Sequence, residues 1–356
     1  MTKTYNIIVL DCTHRIYNPD LLKTEAFGGI QNTINNFAKG MHERGHQVIV
    51  VNNTPISKDF DGVYWANKQD DISSLIDEWD PVKTFVITNN DPTLFYNFED
   101  IINNGAHPVL WSRNALTLKR FIKDQRWKAY FKFKPIGVFL SHFSLKQAPF
   151  YYRFSKKLVI PHSLDPLFTS QECPTNKKQE VVFMSHPNRG MKCVVDLWLN
   201  KINPALPDAK FKIFCEEQKA LRKLPYTIEQ LNNANIHFYS RLTKKRLKEE
   251  IQSAKALFYP GSKDETFCNV ALEAQASGMI VITKGLGSLS ERVNHAVDGY
   301  IEQNDTNYAN ALIRILKDDK LYNEMSQNAF DASKEFAPDL IFQRWEDTLF
   351  ASVKTK

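Results

Sequence analysis

Short apolar runs rich in β-branched and aromatic residues alternate with helical patterns along almost the whole chain. Strands separated by helices form βαβ units and a parallel sheet, and this is the strongest limit that the sequence places on its fold. The predicted strands, five in each half, are 7–10, 48–51, 85–88, 109–111, 138–140, 181–184, 211–214, 236–239, 256–259 and 280–283. Two such sets predict an α/β protein with two doubly wound lobes.

The length of the chain agrees with a division into two lobes. At 356 residues the chain suits two domains, and its 43% of hydrophobic residues provide for two buried cores. A strand ends near 160–166 and two prolines follow, so the predicted lobes are 1–162 and 163–334, with a C-terminal helix in 335–356. Because ligands of open α/β sheets bind at the carboxyl ends of the strands, we expect a ligand in a cleft between facing lobes.

Composition narrows the cellular setting. The five cysteines are widely spaced and contain no Cys-x-x-Cys pair, which argues against a disulfide framework or a zinc site and favours a reducing compartment. They are Cys12, Cys173, Cys193, Cys215 and Cys268. The first apolar run is too short for a signal peptide, and no window reaches the roughly 20 apolar residues of a membrane span. We expect a cytoplasmic protein, either free or at the inner face of the membrane.

Two acidic residues flank the start of a predicted helix in the second lobe. A strand leads into a turn, and the helix begins near Phe267 and ends before Gly278. The amides of 267–270 then form a helix N-terminus, which attracts anions. Glu273 lies about 7 Å further along the helix axis, an offset that suits a diphosphate and a ribose. Its carboxylate can accept hydrogen bonds from both ribose hydroxyls, and Glu265 can face the sugar ring.

A simpler interpretation of the same residues is also open. Asp264 or Glu265 caps the helix and complements its dipole, while Glu273 is a solvated helix residue. The small apolar residues around Glu273 favour the first interpretation, because a carboxylate that is buried among them needs a partner.

The spacing of these acids resembles a known signature. Glu265 and Glu273 are separated by seven residues, follow an aromatic-proline strand end and precede Ala-x-Ala-x-Gly. This is similar to the retaining GT-B glycosyltransferases, in particular the large bacterial family that includes lipopolysaccharide, capsule and phosphatidylinositol mannosyl transferases. The likeness continues through 285–291 and Asp298-Gly299, and it is weaker in the first lobe.

The resemblance implies a GT-B fold, two Rossmann-like lobes and a C-terminal helix that packs back on the first lobe. It implies that Glu273 binds the ribose of a nucleotide sugar and that Glu265 contacts the transferred sugar. The remaining donor-binding residues at the helix start would be Phe267, Cys268, Asn269 and Val270. The nucleotide sugar is a substrate, so no cofactor and no metal are expected.

A basic turn follows the first strand of the second lobe, at 185–192. Negative charge grows on the leaving diphosphate, and positioned cations stabilise it. Arg189, whose guanidinium suits phosphate, takes the place of the lysine in the family's lysine-glycine pair. The family's earlier arginine is replaced by Met184 or Ser185. Lys192 either compensates for that loss or is a surface lysine, and Arg189 is either catalytic or a solvated helix-start residue.

The first lobe carries a pair of glycines, Gly28 and Gly29, before a helix that runs to about Arg44. Their amides can approach an anion closely, although a Gly-Gly pair also marks ordinary loops. The position resembles the family's donor-proximal turn. The preceding loop, 11–27, would then be an acceptor-side element.

Where many relatives carry a histidine in the first lobe, this chain has Arg113 and Asn114. Arg113 is predicted to stand in for the histidine and to contact an anionic acceptor or the donor. His142 and His162 also lie near strand ends, and for both a structural role is favoured. Asp59-Phe60-Asp61 matches a metal-binding motif of another glycosyltransferase fold but follows a polar stretch, so it is interpreted as a surface loop without a divalent metal.

The segment 119–134 is basic and aromatic, and two interpretations of it remain open. It can lie on an anionic membrane. It can equally be a helix with its aromatic residues in the core and its lysines in water. Its members are Lys119, Arg120, Phe121, Lys123, Arg126, Trp127, Lys128, Tyr130, Phe131, Lys132, Phe133 and Lys134.

The sequence therefore predicts a metal-independent, retaining transferase that moves a hexose from a UDP-sugar, or alternatively a GDP-sugar, to a glycan or lipid-linked acceptor. Surface polysaccharide or lipopolysaccharide synthesis is the expected setting. Two alternatives share the fold, a nucleotide-sugar epimerase and a non-catalytic sugar-nucleotide-binding partner subunit. The net charge of +6 also raises nucleic-acid binding, but no recognised motif supports it, and no nucleic-acid partner is predicted.

Overall fold

The computed structural model describes residues 3–11 and 13–352, so the first two residues, Cys12 and the last four residues lie outside the described chain. The chain divides into two compact units. Unit 1 comprises the chain up to Thr24, Gly28–Ser163 and the chain from Pro338 onward, and unit 2 comprises Leu164–Ala337 with Glu25–Phe27. Among the described residues, no helix is long and apolar enough to cross a membrane.

Unit 1 is built on an eight-stranded sheet in the order β3-β4-β2-β1-β5-β6-β7-β8. Its strands are β1 Asn6–Asp11, β2 Gln47–Asn52, β3 Lys58–Phe60, β4 Val63–Asn67, β5 Thr84–Asn89, β6 His107–Ser112, β7 Ile136–Phe139 and β8 Lys156–Val159. Its helices before the second unit are α1 Pro19–Thr24, α2 Gly29–Glu43, α3 Ser73–Ile76, α4 Glu99–Asn103, α5 Leu118–Ile122, α6 Arg126–Phe133 and α7 His142–Lys146. All neighbouring strands are parallel except the β3–β4 edge hairpin.

The centre of this sheet is apolar because helices cover both faces of a parallel sheet. Ile8 of β1 lies opposite Ile49 of β2 and Val86 of β5. Ile8 and Val86 pack with Phe95 in one core cluster. Polar residues appear where the strands end, as at Asn89, and this edge is where ligands of parallel sheets bind.

Unit 2 contains a six-stranded, fully parallel sheet in the order β11-β10-β9-β12-β13-β14. Its strands are β9 Lys178–Phe183, β10 Lys210–Ile213, β11 Ile236–Phe238, β12 Ala254–Phe258, β13 Ile280–Thr283 and β14 Gly299–Ile301. Its helices are α8 Met191–Leu197, α9 Asn203–Ala205, α10 Glu217–Leu221, α11 Ile228–Asn233, α12 Lys244–Ile251, α13 Asn269–Ala276, α14 Leu289–Arg292, α15 Asp305–Lys317 and α16 Asp319–Lys334. Two parallel-sheet α/β units of this kind are the predicted fold class, which is confirmed.

The C-terminal helix α17, Pro338–Trp345, belongs to unit 1. Its Trp345 ring lies 4.7 Å from Phe37 of α2, measured between centroids. A Cβ atom on Gly40 of α2 would come within 2.0 Å of the Phe342 ring, so the two helices approach at a glycine. Arg44 donates a 2.5 Å hydrogen bond to Glu346, which anchors the end of the chain to the same surface.

All ten predicted strands are present, and four further strands were missed. The prediction of a surface loop at Asp59-Phe60-Asp61 is wrong in part, because Asp59 lies in strand β3 and Asp61 in the turn of the hairpin. Asp59 accepts a 2.9 Å hydrogen bond from the amide of Gly62, so its carboxylate closes the turn. The missed strands lie at or next to sheet edges, where the apolar signal is short.

One glycine fixes the spacing of two turns in unit 2. Gly190 has φ +90°, a left-handed conformation, and a Cβ atom there would lie 2.3 Å from Cγ of Pro260. Gly190 follows β9 and Pro260 follows β12, and these strands are neighbours in the sheet. The absence of a side chain at Gly190 therefore lets the two turns meet.

Replacement of Gly190 tests this close approach, and Gly45 provides the matched control. Gly45 has φ +91°, and no atom lies within 4 Å of the position of its Cβ. We expect Gly45→Ala to cost about 1–2 kcal/mol, the usual penalty for the left-handed region. Gly190→Ala is expected to cost about 1–3 kcal/mol more because it also overpacks against Pro260. Urea denaturation followed by circular dichroism measures both losses, and equal losses would contradict the steric argument.

Candidate active site

The turn after β12 brings Glu265, the first of the two predicted carboxylates, into contact with Arg189 of the predicted basic turn. Oε2 of Glu265 accepts a 2.8 Å hydrogen bond from Nη1 of Arg189 and a 2.9 Å hydrogen bond from the hydroxyl of Tyr259. The Glu265 carbonyl accepts a hydrogen bond from the amide of Ser288 at 3.0 Å, which fixes the backbone as well. The two residues are 76 positions apart in sequence and form one ion pair.

Arg189 is only partly buried. Its side chain is 41% exposed, whereas that of Glu265 is 11% exposed. A guanidinium has five N–H donors, and the pair with Glu265 uses one of them. The exposed part of the fork can therefore reach an anion while the ion pair holds its orientation.

Tyr259 was not predicted as a site residue, but it supports Glu265 from the core. Its side chain is fully buried, and its hydroxyl donates to the carboxylate. Burial is the main cause that raises the pKa of the Tyr259 phenol, followed by the nearby Cys268 and Glu265. Tyr259 therefore stays protonated and acts as a hydrogen-bond donor.

Helix α13 begins at Asn269, two residues later than predicted. Cys268 is its N-cap residue and has φ 69°, in the left-handed region that favours glycine. The side chains of Phe267 and Cys268 are both 4% exposed, whereas Asn269 and Val270 are half-buried. Ligand contacts from the first two predicted donor residues would therefore come from their backbone.

Arg292 holds the Phe267 ring in place, and the sequence did not indicate it. Its guanidinium lies 4.4 Å from the centroid of Phe267 and 4.0 Å from that of Phe336. Burial lowers the pKa of Arg292 to about 10, so the side chain remains charged at neutral pH. The two rings also contact each other, with 5.7 Å between their centroids, so an arginine that lies against both of them gives the loop before α13 a rigid base.

Glu273 is buried in α13 with a cation as its partner. It is 4% exposed, and Oε1 forms an ion pair with Nζ of Lys244 at the start of α12. Oε2 is buried and has no hydrogen-bond partner. Burial raises the pKa of the Glu273 carboxyl, and the Lys244 ammonium opposes this shift. The solvated-residue interpretation of Glu273 is therefore wrong.

Lys192 lies on the surface of α8 and pairs with an acid of the same helix. Its side chain is 58% exposed, and its ammonium lies 2.5 Å from Asp196, one turn further along α8. Asp196 also accepts a 2.8 Å hydrogen bond from Tyr226. The arrangement favours the surface-lysine interpretation of Lys192.

The predicted residues of unit 1 gather at the carboxyl edge of its sheet. Gly28 is the N-cap of α2, and Gly29 is the first helical residue. Arg113 is 6% exposed, lies 3.6 Å above the Trp111 ring and donates a 3.2 Å hydrogen bond to the carbonyl of Ile30. Burial lowers the pKa of Arg113 to about 10, which leaves it cationic.

The backbone next to Arg113 is fixed by a residue that was not predicted. Oδ1 of Asn90 accepts hydrogen bonds from the amides of Arg113 at 2.8 Å and Asn114 at 3.1 Å. Asn90 itself has φ 62°. His162 is buried against the Trp111 ring, 5.6 Å between centroids, which fits a structural role. Within the described ranges, no group of three or more residues could hold a metal ion.

Comparison with known proteins supports the resemblance of unit 2 to glycosyltransferases. Residues 172–332 match the model of the family described as glycosyl transferases group 1. No curated protein matches the sequence significantly.

Several solved structures share the fold at low sequence identity. The pneumococcal O-GlcNAc transferase GtfA, in complex with UDP and GlcNAc, has a TM-score of 0.62 and 15% identity; the match covers 82% of this chain but only 62% of that chain. Sucrose-phosphate synthase from Thermosynechococcus elongatus has a TM-score of 0.72 and 13% identity. The match covers 98% of this chain and 100% of that chain. Anabaena Alr3699/HepE, in complex with UDP and glucose, has a TM-score of 0.68 and 16% identity. The match covers 98% of this chain and 100% of that chain.

The family match contains Arg189, Glu265 and Glu273. The structural matches extend over both units, and their common feature is the GT-B fold. The GT-B fold expected from the resemblance is therefore confirmed, and residues 172–332 of the second unit are similar to the glycosyl transferases group 1 family.

Proposed function

We propose that this chain is a retaining glycosyltransferase that moves a hexose from a nucleotide diphosphate sugar to a glycan or lipid-linked acceptor. The observation that carries the proposal is the Glu273 carboxylate, which is buried in α13 and keeps one oxygen without a hydrogen-bond partner. A buried polar atom without a partner is costly, so its presence points to a ligand that supplies one.

A ribose fits the free oxygen of Glu273. Ribose hydroxyls are donors, and an ionised carboxylate is an acceptor with two oxygens. Oε1 already accepts from Lys244, which fixes the plane of the carboxylate, and Oε2 can accept a ribose hydroxyl. The complexes of GtfA and HepE that share this fold contain UDP, which supports a UDP-sugar as donor over a GDP-sugar.

The diphosphate of the donor fits between Arg189 and the start of α13. The first amides of an eight-residue helix point toward this position, and Arg189 adds a full positive charge. These groups supply the charge compensation that a metal supplies in other transferases, so we propose transfer without a metal. Glu265, held by Arg189 and Tyr259, is then placed to accept hydrogen bonds from the hydroxyls of the sugar.

The proposed reaction follows a front-face route. The bond between the anomeric carbon and the diphosphate oxygen breaks, and the acceptor oxygen bonds to the same face of that carbon. The acceptor's proton passes to the leaving phosphate oxygen, so atoms and charge balance without a protein nucleophile. Glu265 accepts two hydrogen bonds on Oε2, which makes it a weaker nucleophile than a free carboxylate.

On the acceptor side we propose that Arg113 and Asn114 contact the incoming molecule. Arg113 is a buried cation at the carboxyl edge of the unit 1 sheet, beside the start of α2. Asp11 is a nearby acid that acts on Arg113, and the guanidinium has five N–H donors, which suit an anionic group of the acceptor.

We also propose that unit 1 docks on an anionic membrane through α5, α6 and Phe150. Leu118 and Ile122 on α5 are each 59% exposed, Trp127 and Phe131 on α6 are 40% and 48% exposed, and Phe150 is 91% exposed. Both helical pairs are four residues apart and so lie on one face of their helix.

The net positive charge of the chain is concentrated in the stretch that contains these helices, 118–157. Residues 118–157 contain eleven basic residues and one acid, a net charge of +10 against +6 for the whole chain, so the remainder carries −4. Basic residues beside exposed apolar side chains are typical of membrane-surface segments. Exposed aliphatic residues do not stack on bases, which favours a lipid bilayer over a nucleic acid. Tyr130 and Phe133 are buried, so part of the segment also serves the core.

The donor site is tested by Glu273→Gln. The change removes a charged acceptor, and we expect the Kd for UDP to rise about tenfold or more, since hydrogen bonds to charged groups contribute about 1.5–3 kcal/mol. Titration calorimetry with UDP gives the affinity, and radiolabelled UDP-, GDP- and ADP-sugars report transfer or hydrolysis. Glu249→Gln, at an exposed ion pair of the same unit, is the control and should leave both unchanged.

Three outcomes of that experiment would point elsewhere. Absence of any Glu273-dependent transfer or hydrolysis with all donors would contradict the proposed activity. Binding without turnover would favour a sugar-nucleotide-binding subunit, for which the missing family arginine at Met184 or Ser185 is the supporting observation. Release of an epimerised sugar without an acceptor would identify an epimerase.

The role of the basic turn is tested by comparing Arg189→Gln with Lys192→Gln. Arg189 is proposed to stabilise the charge that grows on the leaving diphosphate, and loss of such a group costs about 100-fold or more in kcat. Lys192 pairs with Asp196 on the surface, so its replacement is expected to change kcat less than about threefold. Steady-state transfer assays measure both, and equal effects would contradict this division of roles.

Membrane docking is tested by co-sedimentation with vesicles. The protein is expected to bind phosphatidylcholine vesicles that contain about 30% phosphatidylglycerol, and to dissociate at about 0.5 M salt. Lys119→Glu with Lys128→Glu should weaken binding about tenfold or more, because each basic residue at the surface contributes about 1 kcal/mol. Trp127→Ser with Phe131→Ser should also weaken it.

Exposed residues elsewhere in unit 1 provide controls for both variants. Lys68→Glu and Ile56→Ser, the latter at a side chain that is 61% exposed, are expected to leave vesicle binding unchanged. Failure of the wild-type protein to bind anionic vesicles, or capture of an oligonucleotide by the same residues instead, would contradict the proposal.

A further inference from the structure

The start of helix α12 is unusually basic. Its first three residues are Lys244, Lys245 and Arg246, and its first turn contains no acid. Positive charge at a helix N-terminus is unfavourable because the helix dipole is positive there. Lys245 and Arg246 are exposed to water, but the side chain of Lys244 is only 13% exposed. Burial of this one lysine therefore calls for a specific partner.

That partner is Glu273, and the pair is enclosed by unit 2. Nζ of Lys244 contacts Oε1 of Glu273 and lies 5.8 Å from the centre of the Phe168 ring. One turn later, Lys248 donates a 2.6 Å hydrogen bond to the carbonyl of Leu167, which ties α12 to the same segment. Helix α12 is thus held so that Lys244 reaches α13.

The charged groups around Glu273 are few. Among the ion pairs of the described residues, Lys244 is its only cationic partner, and Asp165 is the nearby acid that acts on it. Burial and Asp165 both favour the neutral carboxyl, and Lys244 alone opposes them. Oε2 has no hydrogen-bond partner that could stabilise the charged form.

We propose that Lys244 is a positioning residue for the nucleotide, which pairs with one oxygen of Glu273, keeps the carboxylate charged and leaves the other oxygen to accept a ribose hydroxyl. The inference rests on the proposed function, because it takes Glu273 as the ribose-binding group. Lys244 does not itself need to touch the donor. It acts through the protonation state and the orientation of Glu273.

The proposal has a specific consequence for pH dependence. Only the ionised carboxylate is a strong acceptor, so nucleotide affinity falls as pH drops through the pKa of Glu273 in the free protein. Burial raises that pKa and Lys244 lowers it, so removal of the lysine charge moves the fall in affinity to higher pH. An opposite charge at contact distance shifts a carboxyl pKa by about 1 unit or more. At high pH, where Glu273 is ionised in both proteins, their affinities converge.

The test is calorimetric titration of the full chain with UDP between about pH 5 and 9, which lies above the ordinary pKa of a glutamate because burial raises that of Glu273. For Lys244→Met we expect the midpoint of the affinity profile to lie about 1 pH unit or more above that of the wild type. Glu273→Gln lacks the titrating group and supplies the background profile, including the ionisation of UDP itself. Lys244→Arg retains the charge and is expected to restore the wild-type profile.

Lys248→Met is the matched control for a merely structural effect. It lies one turn along the same helix and tethers α12 through a carbonyl oxygen, with no contact to a carboxylate. It is expected to leave the midpoint unchanged. If Lys244→Met does not fold, Lys244→Gln gives the same test, because it keeps a hydrogen-bond donor but no charge.

The outcomes separate this inference from the proposed function. If the wild type binds UDP and the charge-removing variant weakens binding equally at every pH, Lys244 is structural and the inference is overturned. If the wild type binds none of UDP, GDP and ADP, the proposed function fails and this inference fails with it. A shifted midpoint that Lys244→Arg reverses supports both.

Discussion

The contact between Arg189 and Glu265 joins two turns that lie far apart in sequence, and the arrangement of the candidate site depends on it. Strands β9 and β12 are neighbours in a parallel sheet, so the turns that follow them emerge side by side. Gly190 allows the turns to touch because it has no side chain to meet Pro260. The carboxylate then receives two donors, and the segment that follows leads directly into α13. The sheet topology thus brings residues of two separate sequence motifs together in one cluster of charged residues.

The sequence predicted those parts of the fold in which burial is most complete. Central strands of a parallel sheet are covered on both faces, so their apolar runs stand out, as in Ile7-Ile8-Val9-Leu10. The missed strands lack this signal. Strand β8 begins with two lysines at the sheet edge, and β14 is only three residues long. Strands β3 and β4 form a hairpin whose outer member exposes two of its three residues, which made it look like a loop.

The candidate site was predictable only where its residues share a local motif. Glu265 and Glu273 belong to one strand-turn-helix unit, and Arg189 follows a strand, so their positions could be inferred from the sequence. Arg292 and Lys244 could not, because each reaches the site through tertiary packing. Tyr259 lies in the same unit, six residues before Glu265, but the sequence showed it only as the aromatic end of a strand and not as a hydrogen-bond donor. Lys244 lies 29 positions before its partner, within a run of basic residues that has the appearance of a solvated surface. Its place at a helix start, against the dipole, is the signal that could have marked it.

The uneven distribution of charge has a further consequence. The sequence pI of about 8.8 is an average property of the whole chain. It describes neither the strongly basic stretch of forty residues, 118–157, nor the acidic remainder. A few substitutions of exposed lysines in that stretch would turn a basic protein into an acidic one without altering any residue of the proposed donor site. The charge that would favour an anionic surface and the residues of the proposed donor site therefore lie in separate parts of the chain, so substitutions can change one and leave the other as it is.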